Sequence, residues 1–201
     1  MATSVRESVA LSLRAPIWDR FFTVAPLVLV GTKEPNGGYD LAPKHMAMPL
    51  GWQNFYCFVC SPRHGTYVNV VRTGEFTVSF PTADQVVAAG LAAAPRLEDG
   101  SKPALAALPT VAARVVDGIA VTGAYLVLEC RLERVIDGFG DNSLIAGRVV
   151  AAAASEEAVR GPEVDDQELI GQRPLLVYLS PGRFAEIERS RSFPFPLEFR
   201  R

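Results

Sequence analysis

PLVLVGTKEPNGGYDLAPKHMAM, residues 26–48, carries the pattern on which the fold turns. Residues 26–32 form an unbroken apolar run of the kind that becomes a central strand. Asn36-Gly37 follows, and because both residue types tolerate positive φ, the chain is expected to reverse there into a hairpin. The returning segment begins as a strand, but Pro43 withholds a backbone donor, which places it at a sheet edge or a bulge. A buried strand, a tight turn and an interrupted return strand point to antiparallel β structure.

The flanking sequence extends this pattern. NFYCFVC (54–60) reads as a second buried strand, and EFTVSF (75–80) alternates Phe76, Val78 and Phe80 with Glu75, Thr77 and Ser79, the period of a half-buried strand. Between them, in SPRHGTYVNVVRTG (61–74), Tyr67, Val70 and Val71 recur at helical spacing and Gly74 sits where a helix stop belongs. A short helix over about 66–73 is expected. The alanine-rich stretch 83–94 reads as helix ending at Pro95, and Asp117-Gly118 marks another turn. Leu126, Leu128, Cys130 and Leu132 then share one strand face, with Glu129, Arg131 and Glu133 on the other. GFGDNS turns the chain, LIAGRVVAAAA returns antiparallel, and PLLVYLSPGRFAEI forms a last strand pair. Val9, Leu13 and Ile17 share a helical face, so a helix is expected within residues 1–20. Short strands, Gly/Pro turns and few helices make an all-β sandwich or barrel. No repeat or linker divides the chain, and residues 1–201 read as one domain.

Composition narrows the function classes. Apolar residues make up 49% and charged residues 21% of the 201, as in ordinary globular proteins. A formal charge of −2 gives no electrostatic basis for binding nucleic acid. The C-terminal arginines are interleaved with Glu186, Glu188 and Glu198, a mixed solvated tail. No apolar run approaches the roughly 20 residues that cross a bilayer, and the N-terminal sequence lacks the basic start and apolar block of a signal peptide. Three cysteines, an odd number, suit a reducing cytoplasm. Cys57 and Cys60 form a C-x-x-C, but on a strand they face opposite sides, and no second pair or suitably spaced histidine completes a zinc site. Buried thiols are expected, and no metal.

The order of these features resembles the flavin reductase-like family of FMN-binding split barrels. The opening stretch is similar to that family's first hairpin. SPRHGTYVNVVRTGEFTVSF resembles its next signature, in which a serine, a basic group and a threonine precede a short helix and a GEF strand. VTGAYLVLEC resembles the strand preceding its long hairpin and GDNSLIAGRVV its return strand, and the likeness runs over about residues 20–190, the core of the domain. The resemblance implies a Greek-key split β-barrel with a few short helices, forming a homodimer with a flavin at each end of the subunit interface. It implies an oxidoreductase that moves hydride from NADH or NADPH to FMN, with FAD also open, and a monooxygenase as a possible partner. Two alternatives stand beside it: a flavoredoxin-like FMN electron carrier, and a flavin-free split-barrel dimer with a binding or structural role. The cofactor carries the chemistry, so no catalytic side chain is required.

For the cofactor, the resemblance points to two segments. Ser61, Arg63, His64, Thr66 and Asn69 would gather around the phosphate: Arg63 offers a forked cation, and the start of a helix offers free amides. The plainer reading makes Thr66 an N-cap, Arg63 a solvated loop residue and Asn69 solvent-facing. Lys44, His45, Met46, Ala47 and Met48 would contact the ring and ribityl chain, with Lys44 and His45 reaching either the ring or the phosphate; the plainer reading makes His45 a surface group and the methionines core filler. Trp52 either packs near the ring or caps the barrel. Asn142 stands where many relatives carry a histidine on the nicotinamide side, and asparagine carries no charge near neutral pH.

Overall fold

The computed structural model describes residues 8–194. The chain enters β structure at β1 (Thr23–Pro26) and, after the single residue Leu27, at β2 (Val28–Lys33). A hairpin leads to β3 (Tyr39–Lys44), then β4 (Ala47–Pro49) and β5 (Phe55–Cys60). Helix α1 (Gly65–Thr73) precedes β6 (Glu75–Phe80). Two short helices, α2 (Val86–Leu91) and α3 (Pro103–Ala107), lead to the small hairpin β7 (Thr110–Ala112) and β8 (Ile119–Val121). The long hairpin β9 (Leu126–Phe139) and β10 (Asn142–Ala154) follows, then α4 (Asp166–Gln172), β11 (Leu175–Ser180) and β12 (Arg183–Ile187).

Seven strands form the main sheet in the order β3-β2-β6-β9-β10-β5-β4. Laid flat, its two edges would stand about 29 Å apart at the usual strand spacing of about 4.8 Å. Yet β3, at one edge, ends at Lys44 and β4, at the other, begins at Ala47. The two residues between span at most about 11 Å. The sheet must therefore curl until its edges meet, and residues 45–46 are the seam of the resulting split barrel. Pro43 lies on edge strand β3, paired with Leu29, where the missing amide costs little.

Alternation along β2 explains its unbroken apolar run. Val28 and Val30 join the interior with Phe58, Val70, Phe76, Val78, Cys130 and Ile145, while Leu29 packs outward with Leu41 under α2 and α3. Both faces are buried. Inside the barrel, Phe76 crosses Phe58 edge-on at 5.4 Å between centroids. Its ring also presses on Gly147, where a Cβ would overlap the ring carbons.

Three expectations change in detail. The loop Glu34–Gly38 turns the first hairpin with only Gly37 at positive φ (87°), closed by a 2.8 Å bond from the Glu34 amide to the Gly38 carbonyl. The alanine-rich segment splits into a 3-10 turn at 83–85 and the short α2, because Gly90 and a run of alanines hold too little apolar surface to sustain a longer helix. The N-terminal helix is absent over residues 8–20, where Val9 and Leu13 stand exposed with nothing to pack against; residues 1–7 lie outside the described residues.

Glu129 is the largest departure from simple alternation. Its carboxylate is buried and accepts from the Arg114, Val115 and Val116 amides at 3.0, 2.6 and 3.0 Å. It thereby fixes the 113–118 turn that carries Asp117-Gly118. Burial alone would raise its pKa, but the three amides and the Arg114 charge hold it below the ordinary carboxylate value.

Candidate functional site

Three segments meet at the end of β5, and the strand register puts them there. Ala47 pairs with Phe58, and the Val59 amide donates to the Met46 carbonyl at 2.8 Å, so the seam residues run beside the last turn of β5. On the other side of β5, Ser143 pairs with Cys60, which brings the tip of the β9–β10 hairpin alongside Ser61. Residues 61–64 then lead directly into α1.

The start of α1 has the chemistry of an anion site. His64 is the N-cap with extended backbone, and its side chain makes no capping bond. Thr66 is therefore the second residue of the helix and buried, not the N-cap. Among the described residues the Gly65 and Thr66 amides have no acceptor, and a Cβ on Gly65 would meet open space. The first-turn amides and the helix dipole there favour a negative group. At its other end α1 stops at Gly74, in the left-handed conformation (φ 72°), whose amide bonds the Val70 carbonyl at 2.8 Å.

The candidate residues divide into two groups. Ser61, Thr66 and Asn69 are buried polar groups, and Asn69 donates to the Thr32 hydroxyl at 3.0 Å, tying α1 to β2 instead of facing solvent. Arg63 lies on the surface and pairs with Asp141 at 2.9 Å. Lys44 lies against Cys60, as does the His64 ring, whose Nδ1 is 4.0 Å from the sulfur. Burial pushes the Cys60 thiol up, partly offset by Lys44 and the Tyr67 amide. His45 turns away from this cluster and stacks on Tyr178 of β11, ring centroids 4.5 Å apart. Burial, with Lys44 as the smaller cause, lowers its pKa, so the ring is neutral at pH 7. Ala47 is buried inside the barrel, whereas Met46 and Met48 are exposed and do not fill the core. Trp52 is 83% exposed on the loop after β4.

Asn142 opens β10 opposite Phe139, one residue from Asp141 and on the same rim as Arg63. Behind it, the buried Ser143 hydroxyl donates to Asp137 at 2.6 Å, and Tyr67 of α1 donates to the same carboxylate oxygen at 3.3 Å. This network locks the hairpin onto the helix. Sequence reading missed Asp137, Asp141 and Tyr178, because each acts through a partner some 70 or more positions away or on another sheet. Cys57 and Cys130 are buried and in no disulfide, and burial holds the Cys130 thiol up to about 12. No helix among the described residues is long and apolar enough to cross a membrane.

Comparison with known proteins gives a consistent picture. The flavin reductase like domain model matches residues 20–186. The flavoredoxin of Desulfovibrio vulgaris (Miyazaki F) superposes with a TM-score of 0.76 at 20% identity, covering 94% of this chain and 99% of that one. Component B of nitrilotriacetate monooxygenase from Bacillus cereus gives 0.73 at 22%, with 85% and 88% covered. An inferred flavin reductase with a split barrel domain from Shewanella frigidimarina gives 0.74 at 16%, with 86% and 87% covered. These likenesses establish a Greek-key split barrel, and the domain match extends over most of the sequence: the chain belongs to the flavin reductase-like domain family.

Proposed function

We propose that this chain binds FMN where residues 44–48, 61–69 and 141–142 converge, and that it is an NAD(P)H-dependent flavin oxidoreductase. The observation that carries the reading is the uncapped start of α1, with two amides lacking acceptors and open space in front of Gly65, facing Arg63 and Lys44. A phosphate fits that donor set. Arg63 would exchange its exposed Asp141 partner for the phosphate, an exchange that costs little because surface ion pairs are worth about 0–1 kcal/mol. Backbone at the seam supplies the ring's polar edge with donors and acceptors. When bound, FMN supplies the hydride chemistry; the chain orients it and sets its surroundings.

The exposed apolar residues Met46, Met48, Leu50 and Trp52 follow one another along the seam, and a second copy of the chain would cover them. This supports a homodimer. The likeness to a monooxygenase component B supports transfer of reduced flavin to a separate oxygenase. FMN titration, followed by mass identification of the retained ligand and by NADH and NADPH oxidation, tests the reading. Saturable quenching of flavin fluorescence and nicotinamide oxidation are expected; a chain that neither quenches FMN nor retains it overturns the proposal. Asn142 favours one second reading, a flavoredoxin-like carrier, in which FMN binds stoichiometrically but neither nicotinamide reduces it.

A further inference from the structure

Outside the barrel, on the far side of the seam from α1, a hollow of about 620 Å³ opens between α2 and the three-stranded sheet of β1, β11 and β12. Its walls are Leu27, Val87, Leu91 and Phe184, and its polar groups are His45, Tyr178 and Arg183. Size and makeup fall within the range of small-molecule sites, which are mostly apolar with a few placed polar groups.

The charge of the lining is one-sided. Among the described residues Arg183 is its single formal cation, no carboxylate lines it, and Arg183 has no ion-pair or side-chain hydrogen-bond partner. Six other arginines, Arg63, Arg96, Arg131, Arg148, Arg160 and Arg173, each pair with an acid, whereas Arg183 keeps its guanidinium for the hollow. The Tyr178 hydroxyl accepts from the Gly182 amide at 2.8 Å, which pins the ring to its own turn, and His45 stacks on that ring. Val87, Leu91 and Phe184 remain 71%, 55% and 51% exposed, leaving apolar surface for an occupant to cover.

We propose that this hollow is a binding site for a small aromatic carboxylate, its ring against Tyr178, Phe184 and the α2 side chains and its carboxylate forked by Arg183. A guanidinium matches a carboxylate bidentately, and a planar ring matches the aromatic walls. Neutral His45 is available as a hydrogen-bond partner at the inner end. Because His45 also belongs to the seam, the occupant lies next to the backbone assigned to the flavin ring, on a separate surface. The site needs no flavin, so it goes beyond the flavin reading.

The test uses the full chain and benzoate as probe, with benzamide as the uncharged control, followed by calorimetry or by chemical-shift changes at Tyr178 and Val87. Benzoate should bind saturably and benzamide at least about tenfold more weakly, since only the carboxylate makes a charge-assisted bidentate pair with Arg183. Arg183→Gln should remove that preference, and Val87→Trp should block both ligands by filling the hollow. Equal binding of the two ligands, or benzoate affinity unchanged in Arg183→Gln, overturns the proposal. FMN titration of each variant serves as the folding readout. Loss of benzoate with FMN binding retained localises the site here. Benzoate binding in a chain that ignores FMN leaves this site standing and removes the flavin proposal.

Discussion

Arg63 and Asp141 hold each other across the rim of the proposed phosphate site, so their charges make opposite predictions. Arg63→Glu should weaken FMN by about tenfold or more while changing riboflavin little, because only FMN carries the phosphate. Asp141→Asn should tighten FMN by about threefold, since it frees Arg63 and removes a repelling charge. Fluorescence titration of both flavins checks the pair, and parallel losses for FMN and riboflavin would refute the phosphate assignment. Asn142→His should introduce a group titrating near neutral pH beside the site, giving nicotinamide oxidation a pH dependence absent from the parent. Glu129 belongs to stability instead. Its folded pKa lies below its ordinary value of 4.5, so its contribution is fully present above that value and is lost as the pH falls through the lower folded one. Glu129→Gln should cost about 2 kcal/mol in urea unfolding at pH 7, with the gap to the parent closing below about pH 4.

At the scale of elements, the strands were legible and the short helices only partly so. β2, β5, β6 and the long hairpin announce themselves by apolar runs or alternation, since each buries at least one face. Helix α1 was legible from three apolar positions and Gly74. The expected N-terminal helix failed because a helical stripe stabilises nothing without a surface to cover, and Val9 and Leu13 find none. Glu129 misled for a related reason: period two assigns a face, but whether that face meets water depends on the turn that folds over it. The two candidate segments rest on the family resemblance, and the structure does not test their role. That Lys44 joins the α1 cluster while His45 turns to Tyr178 was not legible, because only the closed sheet separates neighbouring side chains that way. Packing between elements is tested at Gly147, where an added methyl would meet the Phe76 ring within the barrel. Gly147→Ala should destabilise the protein by about 1–3 kcal/mol and shift the Phe76 ring signals, with thermal unfolding and NMR as the measurements.

Over the whole molecule, the arrangement divides labour between an inner cluster that closes the barrel and an outer one that seats α2 and α3. The proposed flavin contacts lie where the sheet's first and last strands come together, on residues 44–48. If the barrel dimerises through its exposed seam, Trp52→Glu should shift the chain toward monomer in light scattering while leaving its far-UV spectrum unchanged. With a flavin at the proposed site, the seam would couple two equilibria that are usually separate. A ligand gripping both β3–β4 backbone and the end of β5 acts as a clasp on a cuff: it can bind fully only while the cuff is shut. At a free concentration of about 100 times its dissociation constant it would add about 2.7 kcal/mol against opening. Amide exchange at Leu41, Ala42 and Ala47 should therefore slow with flavin in proportion to occupancy, while exchange in the β11–β12 hairpin stays the same. Such a clasp would make cofactor loading and structural integrity one measurable quantity.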